Sequence, residues 1–214
     1  MTSIYEQNRI NGLYQVNEQR DAILAAAETL FLQKGLENTT MGDIAKGTGI
    51  HRVTLYRYFP DRDPMAFEIA VRMLRKIKSS TDISEQPVYL RAVEENTLAM
   101  IDQFHQLREA YRFLGMFDHL YGDHYPNETL AAWFKEQVNA MRWGKGRFQG
   151  EITGEVRAQV VMLLNAIMSF LEKMAARGDL MAGEQEVSLD DELRLFKRMV
   201  RVYIDDIIAA AQTA

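Results

Sequence analysis

The 214-residue sequence contains no cysteine. Disulfides, thiolate catalysis and cysteine-based zinc sites are therefore excluded, and the composition suits a reducing compartment. Proline and glycine are also scarce, with 4 and 13 residues. Because these two residues interrupt helices, their scarcity permits long helices.

The sequence also lacks long hydrophobic runs. The first ten residues have no apolar segment typical of a signal peptide. The longest uncharged stretch, 158–171, has 14 residues, whereas a bilayer-spanning helix needs about 20. We therefore expect a soluble, cytoplasmic protein without a membrane segment.

The net charge of −5 is unevenly distributed along the chain. Residues 1–80 hold 11 basic and 9 acidic residues, whereas residues 81–214 hold 14 and 21. The stretch 44–59 contains three basic residues and no acidic residue. Local charge decides whether a surface can meet a phosphate backbone, so this stretch is compatible with a nucleic-acid partner despite the acidic total.

Helical periodicity predicts an all-α fold, because no segment alternates with period two over a useful length. The pattern predicts a flexible N-terminal arm over 1–16, a small helical domain over 17–78 and a larger helical domain over 87–214, with the boundary at 79–86. The predicted helices cover 17–34, 41–46, 51–58, 61–78, 87–108, 109–121, 127–143, 155–177 and 188–211. Asp61, Asn127 and Ser188 are the predicted N-caps of three of them.

The two short helices at 41–46 and 51–58 have the features of a helix-turn-helix pair. Such a pair needs a small residue where the helices cross and a glycine in the turn, and Ala45 and Gly49 supply both. The side chains predicted to fill the core beneath are Ile44, Ile50, Leu55 and Phe59.

This arrangement leaves five side chains of the second helix facing outward: Arg52, Val53, Thr54, Tyr56 and Arg57. Arginine can bind guanine with two hydrogen bonds, and threonine and valine methyl groups suit thymine. Thr40 and Tyr56 carry hydroxyl groups that can donate to phosphates. The second helix is therefore predicted to be a recognition helix for the major groove.

The segments 39–50 and 54–62, together with 25–31 and Lys34-Gly35, resemble the TetR family of bacterial transcriptional repressors. The resemblance covers residues 20–75, and small, apolar and aromatic positions agree across three helices and two turns. It implies an N-terminal helix-turn-helix domain and a larger C-terminal helical domain. It also implies a homodimer that binds a palindromic double-stranded DNA operator and is released by a small molecule.

By position, the resemblance implies that Arg52, Thr54, Tyr56 and Arg57 contact DNA. Arg62 replaces the lysine that the family usually has at the start of the fourth helix, where it would hold a phosphate. His51 stands where the family usually has a small polar helix cap, so we expect a weaker cap at the start of the recognition helix.

Aromatic, methionine and polar side chains of the later helices are candidates for an effector pocket, which requires an apolar lining with a few polar anchors. The candidates are Met100, Phe104, His105, Tyr111, Phe117, Tyr121, Trp133, Phe134, Asn165 and Met168, with Asn96 beside an apolar face. They predict a small apolar or aromatic effector. The alternative is that the apolar members form an ordinary core.

The last two predicted helices, 155–177 and 188–211, carry long apolar stripes. Paired with a second copy they would form a four-helix bundle, so they are predicted to be the dimer interface. The alternative is that they only close the core of the monomer.

We expect neither a metal nor another cofactor. Asp118-His119 and Asp123-His124 flank a turn at Gly122, so convergence on one ion is not assured. Only Asp102-x-x-His105 fits the carboxylate-x-x-His spacing of a di-iron bundle, which needs two such pairs.

No nucleophile–base set or phosphate-binding loop supports an enzyme. A helical adaptor that binds protein is the remaining alternative, and the choice between repressor and activator stays open.

Overall fold

The computed structural model describes residues 4–80, 90–142, 154–177 and 188–213. These residues form helices and short turns with no strand, which confirms the all-α prediction. The helices are α1 (Ile4–Lys34), α2 (Met41–Thr48), α3 (Arg52–Tyr58), α4 (Asp63–Ser80), α5 (Leu90–Asp102), α6 (Phe104–Tyr121), α7 (Glu128–Arg142), α8 (Gly154–Arg177) and α9 (Leu189–Thr213).

The chain divides into two units, each built from two stretches of sequence. Unit 1 comprises Met1–Ala70 with Met116–Ala131, and unit 2 comprises Val71–Gly115 with Ala132–Ala214. Helices α4 and α6 therefore contribute residues to both units. Of the domain boundary predicted at 79–86, residues 79 and 80 end α4 and the others lie outside the described residues.

Unit 1 is organised around the packing of α2 on α1 and on α3. Its core contains the apolar faces that the periodicity predicts, and the fully buried members include Ile23, Leu24, Ala27, Phe31, Ile44, Leu55, Met65, Phe67 and Ile69. Burying one such large side chain contributes about 1.5–3 kcal/mol. This core fixes the three short connections around α2 and α3.

The first helix begins at Ile4, whereas the sequence predicts an arm over 1–16 and a helix from Asn17. The prediction rested on the missing apolar periodicity before residue 17. A formed helix adds one backbone hydrogen bond for each further residue, and 4–16 contains no proline to stop it. The helix therefore starts further towards the N-terminus than the sequence predicts.

In unit 2, α5 packs on α8 and α9, and α8 packs on α9. The sequence predicts one helix over 87–108, but the structure interrupts it at Gln103, between α5 and α6. The carbonyl of Gln103 accepts from the backbone N–H groups of both Gln106 and Leu107, at 3.1 and 3.0 Å. Buried residues continue at the same spacing on both sides of this interruption, so periodicity alone could not locate it.

Two pairs of polar side chains hold α9 against the junction between α5 and α6. Lys197 Nζ lies 2.5 Å from Asp102 Oδ1, and His105 Nε2 lies 2.8 Å from Asp190 Oδ1. Between α8 and α9, the rings of Phe170 and Phe196 stack with centroids 3.8 Å apart. These contacts explain why the two ends of unit 2 come together although about 90 residues separate them in sequence.

The predicted caps of α7 and α9 are confirmed. Asn127 Oδ1 accepts from the backbone N–H of Leu130 at 2.8 Å. Ser188 Oγ accepts from the backbone N–H of Asp191 at 3.1 Å and donates to its carboxylate at 2.8 Å. Hydrogen bonds from Arg194 and Ser188 hold the pKa of the Asp191 carboxyl below its usual range. A carboxylate in the first turn also favours the helix electrostatically.

Among the described helices, α8 is long and apolar enough to cross a membrane by length and composition. Core helices of soluble proteins pass the same criterion, and seven residues of α8 are buried within the protein. The uncharged stretch 158–171 that the sequence shows is the centre of this helix.

Candidate DNA-binding surface

The support helix α2 begins at a capping box. Thr40 Oγ1 accepts from the backbone N–H of Asp43 at 3.1 Å, and the Asp43 carboxylate accepts from the backbone N–H of Thr40 at 3.0 Å. At the other end Gly49 has φ 71°, a left-handed conformation that favours glycine, and its N–H donates to the carbonyl of Lys46. Both ends of α2 are thus specified by local sequence.

Helix α3 begins at Arg52, with His51 as its cap. The His51 carbonyl accepts from the backbone N–H groups of Thr54 and Leu55 at 2.9 and 3.1 Å. Its ring Nδ1 accepts from the backbone N–H of Val53 at 3.4 Å, which is long for a hydrogen bond. The weaker cap that the sequence predicts at the start of α3 is therefore seen as a long hydrogen bond from the backbone to the His51 side chain.

The inner side of the helix pair is closed by apolar contacts. Leu55 and Phe59 are buried, and so are Ile44 and Ala45 on α2. Ile50, which the sequence places in the same core, is only half-buried in the turn. The buried Leu55 anchors α3 against unit 1 and so decides which side of α3 faces outward.

The outer side of α3 is exposed. Val53 and Tyr56 are large hydrophobic residues with 59% and 48% of their surface accessible. Arg52 and Arg57 are also exposed, whereas Thr54 is half-buried. Four of the five side chains predicted to face outward therefore do so, and Thr54 lies at the edge of this face.

Arg52 extends from α3 back over the first turn of α2. A Cβ atom added to Gly42 would lie 3.7 Å from Arg52 Cζ and 3.5 Å from Thr40 Oγ1. The guanidinium and the start of α2 thus lie on one surface, where a cation and backbone N–H groups are favourable for an anion.

The hydroxyl of Thr40 forms a hydrogen bond within the protein. Its hydroxyl donates to Asp43 Oδ2 at 2.7 Å, and Lys34 Nζ lies 2.7 Å from Asp43 Oδ1. The hydrogen bonds from Lys34 and then Thr40 hold the pKa of the Asp43 carboxyl well below its usual range. For the hydroxyl of Thr40 to donate to a phosphate, it would have to turn away from Asp43.

Arg62 does not extend into solvent. Its Nη1 donates to the backbone carbonyls of Leu36 and Glu37 at 2.8 and 2.7 Å, in the turn between α1 and α2. Its Nε lies 3.7 Å from Asp63 Oδ1. These contacts could not be predicted from local sequence, because 25 or 26 residues separate the partners.

The N-terminal sequence matches a known family. Residues 23–69 match the family described as bacterial regulatory proteins of the tetR family. Over 62 residues the chain is 40% identical to the transcriptional repressor KstR2 of Mycobacterium tuberculosis, which is 29% of this chain and 30% of that protein. This match covers the N-terminal segment, and the chain spans about 30% of the length of the curated relatives that it matches.

The likeness in fold extends beyond the matched segment. A transcriptional regulator from Rhodococcus sp. RHA1 superposes with a TM-score of 0.64 and 16% identity, covering 89% of this chain and 96% of that one. A TetR-family regulator from Marinobacter aquaeolei VT8 superposes with a TM-score of 0.59 and 18% identity, covering 89% and 97%. At these identities the likeness concerns the fold alone.

The predicted effector residues fall into separate groups. Met100, Phe104 and Tyr111 lie together in unit 2: the rings of Phe104 and Tyr111 stack at 5.9 Å, and Tyr111 Oη donates to the Met100 carbonyl at 3.4 Å. All three are buried, and burial raises the pKa of the Tyr111 hydroxyl. This group forms apolar core in unit 2.

Phe117 and Tyr121 belong to unit 1, where their rings pack against Phe67 with centroids 4.8 and 4.9 Å away. Tyr121 Oη donates to Asp63 Oδ1 at 2.8 Å. Burial, and then the hydrogen bond to Asp63, raise the pKa of Tyr121, so the hydroxyl keeps its proton. The contacts of Phe117 and Tyr121 with α4 could not be predicted from the sequence.

Two of the polar candidates are exposed. His105 pairs with Asp190, and Asn165 lies in an open groove of α8 beside Arg157 and Met162. The remaining candidates, Trp133, Phe134 and Met168, are half-buried.

The structure shows two other polar groups in unit 2. Asn96 Oδ1 on α5 and Gln159 Oε1 on α8 are buried and accept no hydrogen bond within the described part of the chain. Asn96 stood out in the sequence beside an apolar face, whereas Gln159 gave no signal. The two helices that carry them pack on each other.

In the described ranges no three histidine or acidic side chains form a group able to hold a metal ion. The two residues with di-iron spacing are each engaged elsewhere, Asp102 with Lys197 and His105 with Asp190.

Proposed function

We propose that this chain is a transcriptional regulator that binds a palindromic DNA operator as a homodimer. The observation that carries the proposal is the exposed side of α3, where Arg52, Tyr56 and Arg57 face outward while Leu55 holds the helix from behind. An α-helix fits the major groove, and its arginines can bind guanine or phosphate there. The acid-free stretch 44–59 supports contact with a polyanion.

An exposed apolar stripe on α9 supports the homodimer. Met199 and Val202 have 67% and 63% of their surface accessible, and Leu195 stands one turn before them. On α8, Met162 is exposed as well. Exposed apolar patches of this kind mark interfaces, and α8 and α9 of two copies would form a four-helix bundle. The dimer would then present two recognition helices to half-sites roughly 34–36 Å apart.

A small apolar or aromatic effector that binds unit 2 completes the proposal. The buried aromatic side chains of α6 supply the apolar environment, and the acceptors Asn96 Oδ1 and Gln159 Oε1 suit a ligand with a hydrogen-bond donor. Effector binding would favour a state in which the two recognition helices no longer match the half-sites. The partial similarity to a repressor supports repression, and a DNA-binding regulator acts in the cytoplasm.

Selection of bound duplexes from a random pool tests DNA binding and yields the operator. With the selected duplex, a variant carrying Arg52→Ala and Tyr56→Phe should bind much more weakly in a gel-shift titration while the dimer stays intact. Arg112→Ala, which removes one exposed charge on α6, is the matched control and should bind as the wild type does. Unchanged binding by the double variant would refute the proposed surface.

The salt dependence separates DNA binding from an adaptor function. Affinity for the duplex should fall steeply between 50 and 200 mM salt, because released counterions drive binding to phosphates.

A thermal-shift screen with small apolar and aromatic compounds then tests the effector. A compound that raises the melting temperature should also release the duplex, whereas stabilisation without release would contradict regulation by that compound.

A further inference from the structure

The turn after α1 leaves backbone carbonyls without helical partners, and side chains satisfy four of them in succession, from Lys34, the last residue of α1, to Glu37. Asn38 Nδ2 donates to the Lys34 carbonyl at 3.2 Å, and Thr39 Oγ1 donates to the Gly35 carbonyl at 2.8 Å. The next two carbonyls, those of Leu36 and Glu37, both accept from Arg62. Backbone carbonyls outside regular structure need such partners, and here the last two partners come from a residue beyond α3.

The charge of Arg62 suits this position. The C-terminal end of a helix carries partial negative charge, so a guanidinium beside it is favourable. Only 32% of the Arg62 side chain is accessible to solvent. On its other side Asp63 provides a carboxylate, which also accepts from Tyr121 Oη. The guanidinium thus has acceptors of its own chain at Nη1 and near Nε.

The turn that Arg62 holds leads directly into the support helix. Thr40, the cap of α2, follows Glu37 by three residues, and α2 packs on α3. A displacement of the turn would therefore move the start of α2 and, through it, the recognition helix.

We infer that Arg62 is a positioning residue, which holds α2 and α3 in their DNA-binding orientation by binding the carbonyls of Leu36 and Glu37. This departs from the phosphate contact that the sequence resemblance implies for Arg62. The inference rests on the proposed DNA-binding function.

The experiment compares Arg62→Ala, Arg62→Lys and the benchmark Arg57→Ala, using the duplex selected by the wild-type protein. Two quantities are measured for each: the melting temperature without DNA, and the dissociation constant at 20 °C as a function of salt. Arg57 is exposed on α3, so its loss should reduce the salt dependence and leave the melting temperature unchanged.

For a positioning role, Arg62→Ala should lower the melting temperature by roughly 5 °C and weaken binding by roughly tenfold, with the wild-type salt dependence kept. Arg62→Lys should recover most of the affinity, because an ammonium can also donate to two carbonyls.

A phosphate contact would instead make Arg62→Ala behave as Arg57→Ala does, and this result would overturn the inference. A lower melting temperature with unchanged affinity at 20 °C would also overturn it, because the role would then be stability alone. If the wild-type protein binds no duplex, the proposed function fails, and this outcome is distinct from the other two.

Discussion

The guanidinium of Arg20 lies 4.7 Å from the centre of the Phe59 ring, at the residue that ends α3. The same guanidinium forms a two-point ion pair with Glu68 on α4, in which Nη1 donates to Oε2 at 2.6 Å. One residue earlier on α1, Gln19 Oε1 accepts from Tyr58 Oη at 3.3 Å. The long helix α1 therefore holds the C-terminal end of α3.

We expect Arg20→Ala to lower the free energy of unfolding by about 1 kcal/mol, because both the ring contact and the ion pair are partly exposed to solvent. It should also weaken DNA binding, although Arg20 faces α3 from behind. Urea denaturation and gel-shift titration measure the two effects. Arg20→Lys keeps the charge but not the two-point geometry, so it should fall between wild type and Arg20→Ala; equal stability of all three would contradict the contact.

The long cap bond of His51 predicts that a better cap stabilises the protein. Serine is among the best N-cap residues, so His51→Ser should raise the free energy of unfolding by about 0.5–1 kcal/mol. His51→Ala is the control, because it lacks a side-chain acceptor. Thermal denaturation of the three proteins should place the serine variant above the wild type, and a serine variant no more stable than the alanine variant would show that the cap is not limiting.

The contribution of the α2 capping box to the stability of the protein should depend on pH in the acid range. The pKa of Asp43 is lowered in the folded state, so its stabilising contribution is present above the unfolded value of about 3.9. The contribution is lost as the pH falls from that value through the lowered folded pKa. Asp43→Asn should therefore melt below the wild type at pH 7, and the difference should close as the pH falls below about 4. A difference that persists unchanged at low pH would exclude the carboxylate as its cause.

The apolar stripe on α9 predicts a variant that disrupts the dimer. Met199 is the most exposed residue of this stripe, and Met199→Glu places a charge there. Burying the stripe against a second copy then becomes unfavourable. Sedimentation should show a shift toward monomer, and operator affinity should fall. Arg201→Glu, on another side of the same helix, should leave the dimer intact. A Met199→Glu protein with the wild-type mass in solution would place the interface elsewhere.

Much of the candidate site could be predicted from sequence because it depends on short-range rules. The cap of α2, the glycine that ends it and the buried Leu55 follow from residue type and spacing within one or two turns. The exposed side of α3 follows in turn, since the residues around the helix circumference are fixed once one face is buried.

Long-range contacts could not be predicted in the same way. From the sequence, Arg62 is expected to be a cation at the start of the fourth helix that holds a phosphate. Only folding brings it to the carbonyls of Leu36 and Glu37, in the turn between α1 and α2. The interruption at Gln103 carries no glycine or proline, so nothing in the local sequence marks it. Likewise, Tyr121 appeared as a pocket residue, whereas it hydrogen-bonds to Asp63 and packs on Phe67.

The sequence by itself therefore determined the helical class, the exposed side of α3 and the caps of α7 and α9, because helix formation and capping are decided by neighbouring residues. The tertiary structure alone decided which polar groups are engaged within the protein. The sequence predicts DNA contacts for Arg62 and Thr40 and a place in the effector pocket for His105, and each of the three has an intramolecular partner. Hydrogen-bond partners are set by distance in space, and a single sequence does not contain those distances.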